Sequence, residues 1–328
     1  MRIVQAPTAL LFALSTAVIA FHSGDRLMLA QSPDPGAVVT YRGVGTAVQF
    51  DVSPPLRDLA RVATPVVAVA PPKDDLPTGL EGPFGPQDVD PVVQRSAGRG
   101  EDIPSPGVSF DGMTNPCNGC APPDPNGAVG PNHYVQMVNI SFAIYSKTGS
   151  LLAGPSAINT LWAGFGGACQ TENKGDPVVL YDRFADRWLL TQFTANGPTY
   201  FNCVALSQTG DPTGAYYRWA FSTGSNFPDY PKYGVWSDAY YISTREFAGG
   251  ASFAGVGAYA LNRTQMIAGN PSPQVISFLA APGGTAYRLG DGLLPADLDG
   301  FRLPPRGLLS STSVRRTTVA ATARQAMH

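Results

Sequence analysis

An all-β fold of four-stranded antiparallel repeats is what this chain predicts, and three observations predict it. Glycine and proline, 36 and 31 among 328 residues, favour turns over helices. No segment carries the 3.6-residue apolar period of an amphipathic helix. Most telling, two short motifs recur three times in the same order. PNHYVQMVN (131–139), ADRWLLTQF (185–193) and SDAYYISTREF (237–247) each place Asn132, Asp186 or Asp238 in a turn, then Tyr134, Trp188 or Tyr240, then a strand. Those aromatics stand 54 and 52 residues apart.

A second motif follows each first one: FAIYSKTG (142–149), CVALSQTG (203–210) and GAYALNRT (257–264). Each reads as a short alternating strand ending in a polar turn. VVLYD and KYGVW precede the first motif, and YYRWAF and QVISFL follow the second. Four antiparallel strands in about 50 residues is the size of a β-propeller blade, near the kelch period. A β-sandwich with coincidental self-similarity is the competing reading. The polar turn resembles an Asp-box, but Thr148, Thr209 and Thr264 stand where that motif needs its aspartate. A Thr hydroxyl makes a weaker local hydrogen bond, so the turn reads as structural.

The N-terminus reads as an export leader over residues 1–20. Arg2 gives the positive start, Ala9–Phe21 is an apolar run too short for a bilayer, and Val18-Ile19-Ala20 fits a small-x-small cleavage site. Residues 21–108 are poor in aromatics and broken by prolines, which predicts a mostly disordered, extended linker; YRGVGTAVQFDV (41–52) is a candidate for one added strand. The repeat domain then covers 109–300, as three units plus a fragment.

Export puts four cysteines in an oxidising compartment. Cys169 and Cys203 flank the first two strands of one repeat and are expected to pair, leaving Cys117 and Cys120 to close a small ring in CNGC. A redox or zinc role for that CxxC would need a helix start or a second ligand pair, and the sequence offers neither.

The catalytic inventory is thin. His133 is the one histidine of the repeat region and sits in a turn. The repeats hold two glutamates, Glu172 and Glu246, beside the turn carboxylates Asp182, Asp186, Asp229 and Asp238. Arg245-Glu246 in a tyrosine-rich unit keeps a sialidase-like glycoside hydrolase in view, since such chemistry needs paired carboxyl groups. Asp124 and Asn126 in PPDPNG, and Asp297 and Asp299 in ADLDG, set hard oxygen ligands at alternate positions, as Ca²⁺ prefers. Metal-free Asx-turns are the other reading. No further cofactor is implied. Asn139-Ile140-Ser141 and Asn262-Arg263-Thr264 are glycosylation sequons by pattern. A formal charge of −2 with only 14% charged residues gives no electrostatic case for nucleic acid, and no segment after the leader is long enough for a membrane helix.

PPDPNGAVGPNHYVQMVN, GDPVVLYDRFADRWLL, TGDPTGAYYRWAF, FPDYPKYGVWSDAYYIS and LLPADLDG together resemble a group of uncharacterised exported bacterial proteins with β-propeller-like (sialidase- or kelch-like) repeats. The match covers roughly residues 109–300. It implies a secreted β-repeat protein and no established activity; members continue past the DLDG block with further strands. Here the chain instead runs into FRLPPRGLLSSTSVRRTTVAATARQAMH, with Arg302, Arg306, Arg315, Arg316 and Arg324, no acid, and no turn-plus-aromatic motif. Residues 301–328 read as a basic tail, out of frame or truncated; a genuine tail for an acidic partner is the alternative. The expectation is therefore an incomplete propeller, prone to self-association through its unpaired edges. Its expected role is that of an extracellular or periplasmic binding module for glycan or protein, with a secreted hydrolase or a non-functional fragment as alternatives.

Overall fold

The structure, a computed structural model, describes residues 37–62, 105–114, 122–283 and 292–298. The leader, Cys117, Cys120, Asp299 and the tail 301–328 lie outside them.

The chain enters through strands β1 (Ala37–Thr46) and β2 (Gln49–Val52) and helix α1 (Leu56–Val62). Four-stranded meanders then follow: β3 (Asn126–Val129), β4 (His133–Val138), β5 (Ser141–Ser146) and β6 (Leu151–Ala157) make the first. A 3₁₀ turn (Ile158–Trp162) and helix α2 (Gly167–Thr171) lead to the second, β7 (Val179–Asp182), β8 (Arg187–Phe193), β9 (Tyr200–Ser207) and β10 (Tyr216–Gly224). The third is β11 (Asn226–Val235), β12 (Ala239–Ala248), β13 (Ser252–Asn262) and β14 (Gln274–Pro282), with helix α3 (Arg263–Ile267) inserted before β14. All pairings are antiparallel. The first repeated motif forms β4, β8 and β12, and the second forms β5, β9 and β13, with flanking strands where the sequence put them.

Strand alternation explains how the sheets stack. Successive side chains of a strand leave opposite faces, and in β8 both faces are apolar. Trp188 and Leu190 join Val135, Met137, Phe142 and Ile144 of the first sheet in one core. Leu189, with Val204 and Leu206, joins Tyr240, Ile242 and Leu261 of the third sheet in another. The second sheet is thus sandwiched, and most of its residues are buried. Each recurrent aromatic points to the preceding unit. Trp188 packs towards the first sheet and Tyr240 towards the second. Tyr134 faces residues 105–114, whose Met113 joins its cluster and whose Phe110 ring lies 6.1 Å away. Gly130 is required at the first of these contacts, because a Cβ there would lie 2.5 Å from the Trp188 ring.

The expected linker is corrected over 37–62. Where the sequence suggested one strand, two form, and they join different sheets. β1 pairs with β14 at the outer edge of the third sheet and β2 with β10 at the outer edge of the second. Helix α1 turns Leu56, Leu59 and Ala60, spaced three and four apart, onto the core shared by the first and second sheets. Polar clamps fix the strap. Arg218, 1% exposed, donates from Nε and Nη2 to Asp51 at 2.7 and 2.6 Å, and from Nη1 to the carbonyls of Leu161 and Ala163. Buried Glu246 accepts from Arg42 of β1 at 2.8 Å, from Asn226 at 2.7 Å and from the Tyr259 hydroxyl.

Cys169 of α2 and Cys203 of β9 form the expected disulfide. Residues 292–298 lie along the third sheet, where Leu298 N–H donates to Val235 O at 3.0 Å and Val235 N–H to Asp297 Oδ1 at 2.8 Å.

Replacing Asp51 with Ala strands a buried guanidinium. The expected loss is about 3 kcal/mol, the lower end for breaking a buried pair because Asp51 is itself part-exposed, read as a shifted urea midpoint. Opening the 34-residue disulfide loop with Cys169→Ala/Cys203→Ala should cost about 3–4 kcal/mol by chain entropy, measured the same way.

Candidate functional site

A residue followed by proline stands just before the first strand of the first two meanders and inside the first strand of the third: Asp124-Pro125 ahead of β3, Asp176-Pro177 ahead of β7 and Tyr230-Pro231 within β11. All three leading residues have positive φ, at 40°, 40° and 47°. Asp tolerates this region through its short polar side chain, whereas a tyrosine there is uncommon. The three steps converge on one cleft of about 410 Å³, walled by 124–127, 176–180 and 230–233. It lies where the first strands of the three sheets approach one another.

Side-chain amides hold the walls together. Asn126 donates from Nδ2 to Pro177 O at 2.6 Å and accepts from Val179 N–H at 2.9 Å, replacing ladder bonds between β3 and β7. Asn139 donates to Asp124 Oδ2 at 3.0 Å and accepts from Asp176 N–H at 3.0 Å, so one residue orients both aspartate turns. It is buried in that role, which leaves its sequon without an accessible acceptor. On β8, Thr191 Oγ1 accepts from Val178 N–H at 3.1 Å.

The third wall has different chemistry. Lys232 Nζ lies 3.2 Å from the centre of the Tyr230 ring, and Arg245 Cζ lies 4.3 Å from it. Both are cation–π contacts, and the ring is 40% exposed. Burial pushes the neighbouring Tyr233 phenol far above its ordinary range, with the Thr191 hydroxyl offsetting only part. It is a neutral group at any working pH. The cleft therefore sets carboxylates of the first two units against the Lys232 cation of the third.

The carboxylates singled out by sequence are otherwise engaged. Glu172 Oε2 accepts from Ala195 and Asn196 amides at 2.7 and 3.0 Å. Asp182, fully buried, accepts both arms of Arg263, the Tyr240 hydroxyl at 2.7 Å and two backbone amides. Burial first, and then the Asp182 charge, push the Tyr240 phenol well up. Asp186 accepts the Tyr181 hydroxyl at 2.6 Å, and burial followed by that bond pushes Tyr181 to about 12. Asp238 faces the Tyr241 hydroxyl at 3.4 Å. Asp229 pairs with Arg245 in the β11–β12 register. His133 lies 4.0 Å from Asp211, apart from these groups.

Of the proposed calcium ligands, Asp124 and Asn126 reach the cleft wall, where the Asn126 amide is occupied by backbone. Asp297 stands against Val235, and Asp299 is outside the described residues. Among the described residues no group of three or more His, Cys, Asp or Glu is placed to hold a metal, and no helix is long and apolar enough to cross a membrane.

The polar turns are structural. In SQTGDPTG, Ser207 Oγ accepts from Trp188 N–H at 2.8 Å and donates to Thr209 O at 2.6 Å, while Thr209 Oγ1 accepts from Asp211 N–H at 3.2 Å. In SKTG the Ser146 and Thr148 hydroxyls lie 2.9 Å apart. NRTQ departs from the expected turn: Asn262 instead caps α3 by accepting from Gln265 N–H.

Sequence reasoning missed Asp176, Tyr230 and Lys232. The signal was present, since the three proline-preceding residues recur at intervals of 52 and 54 residues. Comparison with protein-family models, with curated proteins and with solved structures found no match for this chain.

Asp211 gives a pH prediction. Burial alone would raise its pKa, but the Thr213 hydroxyl and amide and Arg57 outweigh burial and lower it. A depressed carboxylate contributes stability above its unfolded pKa of about 3.9 and loses it as pH falls through the folded value. The melting-temperature gap between wild type and Asp211→Asn should be open at neutral pH and close in acid. A gap that stays constant into strong acid contradicts this assignment.

Proposed function

We propose that this chain is an exported binding module of β-propeller type, whose ligand, a glycan or a protein loop, seats in the cleft between the three proline steps. The observation that carries the reading is the convergence of β3, β7 and β11 on one cleft. In a propeller, four-stranded blades surround a central channel, and on this reading the first strand of each meander would be the one that lines it. Three face-packed meanders in sequence, and the resemblance to exported bacterial repeat proteins, support the same reading, with residues 1–20 as leader. Closure of a ring would require further blades or a partner.

Binding is favoured over hydrolysis because Glu172, Glu246 and Asp182 are consumed by buried hydrogen bonds that hold the sheets. A glycosidase would have to work with Asp124 and Asp176, the carboxylates of neighbouring units on one cleft. Ca²⁺, if bound, would draw on Asp124.

The test is a glycan and peptide array probed with the full chain, followed by calorimetry on the hits. Tyr230→Ala and Lys232→Ala should each weaken binding by about tenfold, or 1.4 kcal/mol, while the remote Leu151→Ser leaves it unchanged. Hits indifferent to the cleft substitutions overturn the site. Glycan cleavage abolished by Asp176→Asn replaces binding with hydrolysis.

A further inference from the structure

The outer edges of the three sheets are not alike. β6, on the first, contains Pro155 and shares its core cluster with α1 through Ala153 and Leu56. β2, on the second, is four residues long and runs into Pro54-Pro55. β1, on the third, is ten residues without a proline. Among the described residues its outer side has no strand partner. Val38, Val39 and Tyr41 are 56, 44 and 52% exposed. Natural edges are normally guarded by charge, proline or brevity. The one charge in β1, Arg42, is turned onto buried Glu246.

We infer that β1 is a dimer edge, pairing antiparallel with β1 of a second copy across a twofold axis at Val39. Residues 37–41 hold a regular register on β14, from Ala37 opposite Pro282 to Tyr41 opposite Phe278, so their outer backbone groups form an even ladder. Antiparallel self-pairing about Val39 sets Val39 against its counterpart, Val38 against Thr40, and Ala37 against Tyr41. Every contact is β-branched, aromatic or small, and no like charges oppose one another, the composition that favours cross-strand pairs. After Tyr41 the register shifts and Gly43 takes φ 105°. That bulge bends the strand before its pairing with β14 resumes to Thr46, so the regular outer ladder is confined to 37–41, and the twofold axis makes the contact isologous and closed. A second copy satisfies this edge better than an arbitrary extended peptide, because the strand complements itself in side chain as well as backbone. The proposal does not rest on the ligand cleft, which β1 does not line.

The experiment is sedimentation velocity on the full chain, with Val39→Lys and Val39→Cys variants. Wild type should sediment as a dimer that dissociates on dilution. Val39→Lys, at an exposed position, should be monomeric at the same concentration with an unchanged circular-dichroism spectrum, unchanged binding of any cleft ligand, and a melting temperature that no longer rises with protein concentration. Val39→Cys, treated with a short thiol cross-linker, should give a covalent dimer whose linked peptides both contain residue 39. A wild-type monomer up to its solubility limit overturns the inference. A dimer that survives Val39→Lys overturns it too and moves the contact to another face.

Discussion

The guanidinium of Arg218 is where three parts of the molecule are tied. It projects from β10 and is almost wholly buried. Removing such a group from water costs several kcal/mol, so its site has to supply a full set of acceptors. Asp51 provides two parallel bonds from the strap, and the carbonyls of Leu161 and Ala163 provide two more from the crossing between the first and second sheets. The Phe165 ring, 5.4 Å away, covers the cation. With Asp51 held there, β2 has one available register on β10, and the flanking segments inherit their positions. β1 lies on the third sheet, where Arg42 reaches Glu246, and α1 lies on the first core. A segment with few buried apolar residues is thereby ordered by hydrogen bonds and ion pairs to edges that already exist.

The same logic runs through the stack. Because the second sheet feeds alternate residues into two different cores, it cannot be amphipathic, and its strands are apolar on both faces. Its neighbours are therefore part of its folding unit rather than separate modules. Loss of one sheet would expose half of the next. The cleft follows from this stacking, since three face-packed sheets bring their first strands together at one side. There the backbone of each sheet passes through a proline that cannot donate to a ladder, just ahead of β3 and β7 and within β11. Asn126, Asn139 and Thr191 supply the missing links with their side chains.

How much of this was legible depended on what kind of signal each element carries. Ten of the twelve meander strands were visible because aromatics and polar turns repeat at a near-constant period, β3 and β6 of the first unit being the two not located, and the Cys169–Cys203 bond followed from their place in one repeat. β1 and β2 were visible only as one candidate strand over 41–52, because their residues are largely exposed or half-buried and lack a clear inward face, so neither alternation nor an apolar run separates them or places them on different sheets. The strap is specified by distant partners, Arg42 by Glu246 and Asp51 by Arg218, and such pairings leave no local pattern. Glu246 and Asp182 read as candidate chemistry for the same reason. Isolated acids in a charge-poor chain look functional until their donors are known. Asn262 was read with the serine turns although its side chain caps a helix, a distinction of backbone that the short motif does not encode.

The cleft shows why repetition alone does not decide function. The first two units place an aspartate at the positive-φ step, and the Asn139 amide holds both, through the Asp124 carboxylate and the Asp176 backbone N–H. The third unit breaks the pattern, with Tyr230 in the same place and a register shift between Asp229 and Lys232 in β11. That bulge turns the ring outward and brings Lys232 and Arg245 against it. A divergent residue in a strained conformation, at a position its sister repeats fill with a better-suited one, is not accounted for by folding alone. What the divergence produces is polarity: carboxylates on two walls, and on the third an exposed aromatic ring with Lys232, backed by Arg245. A ligand in this cleft would be oriented by that asymmetry, which a strictly repeated sequence could not have created.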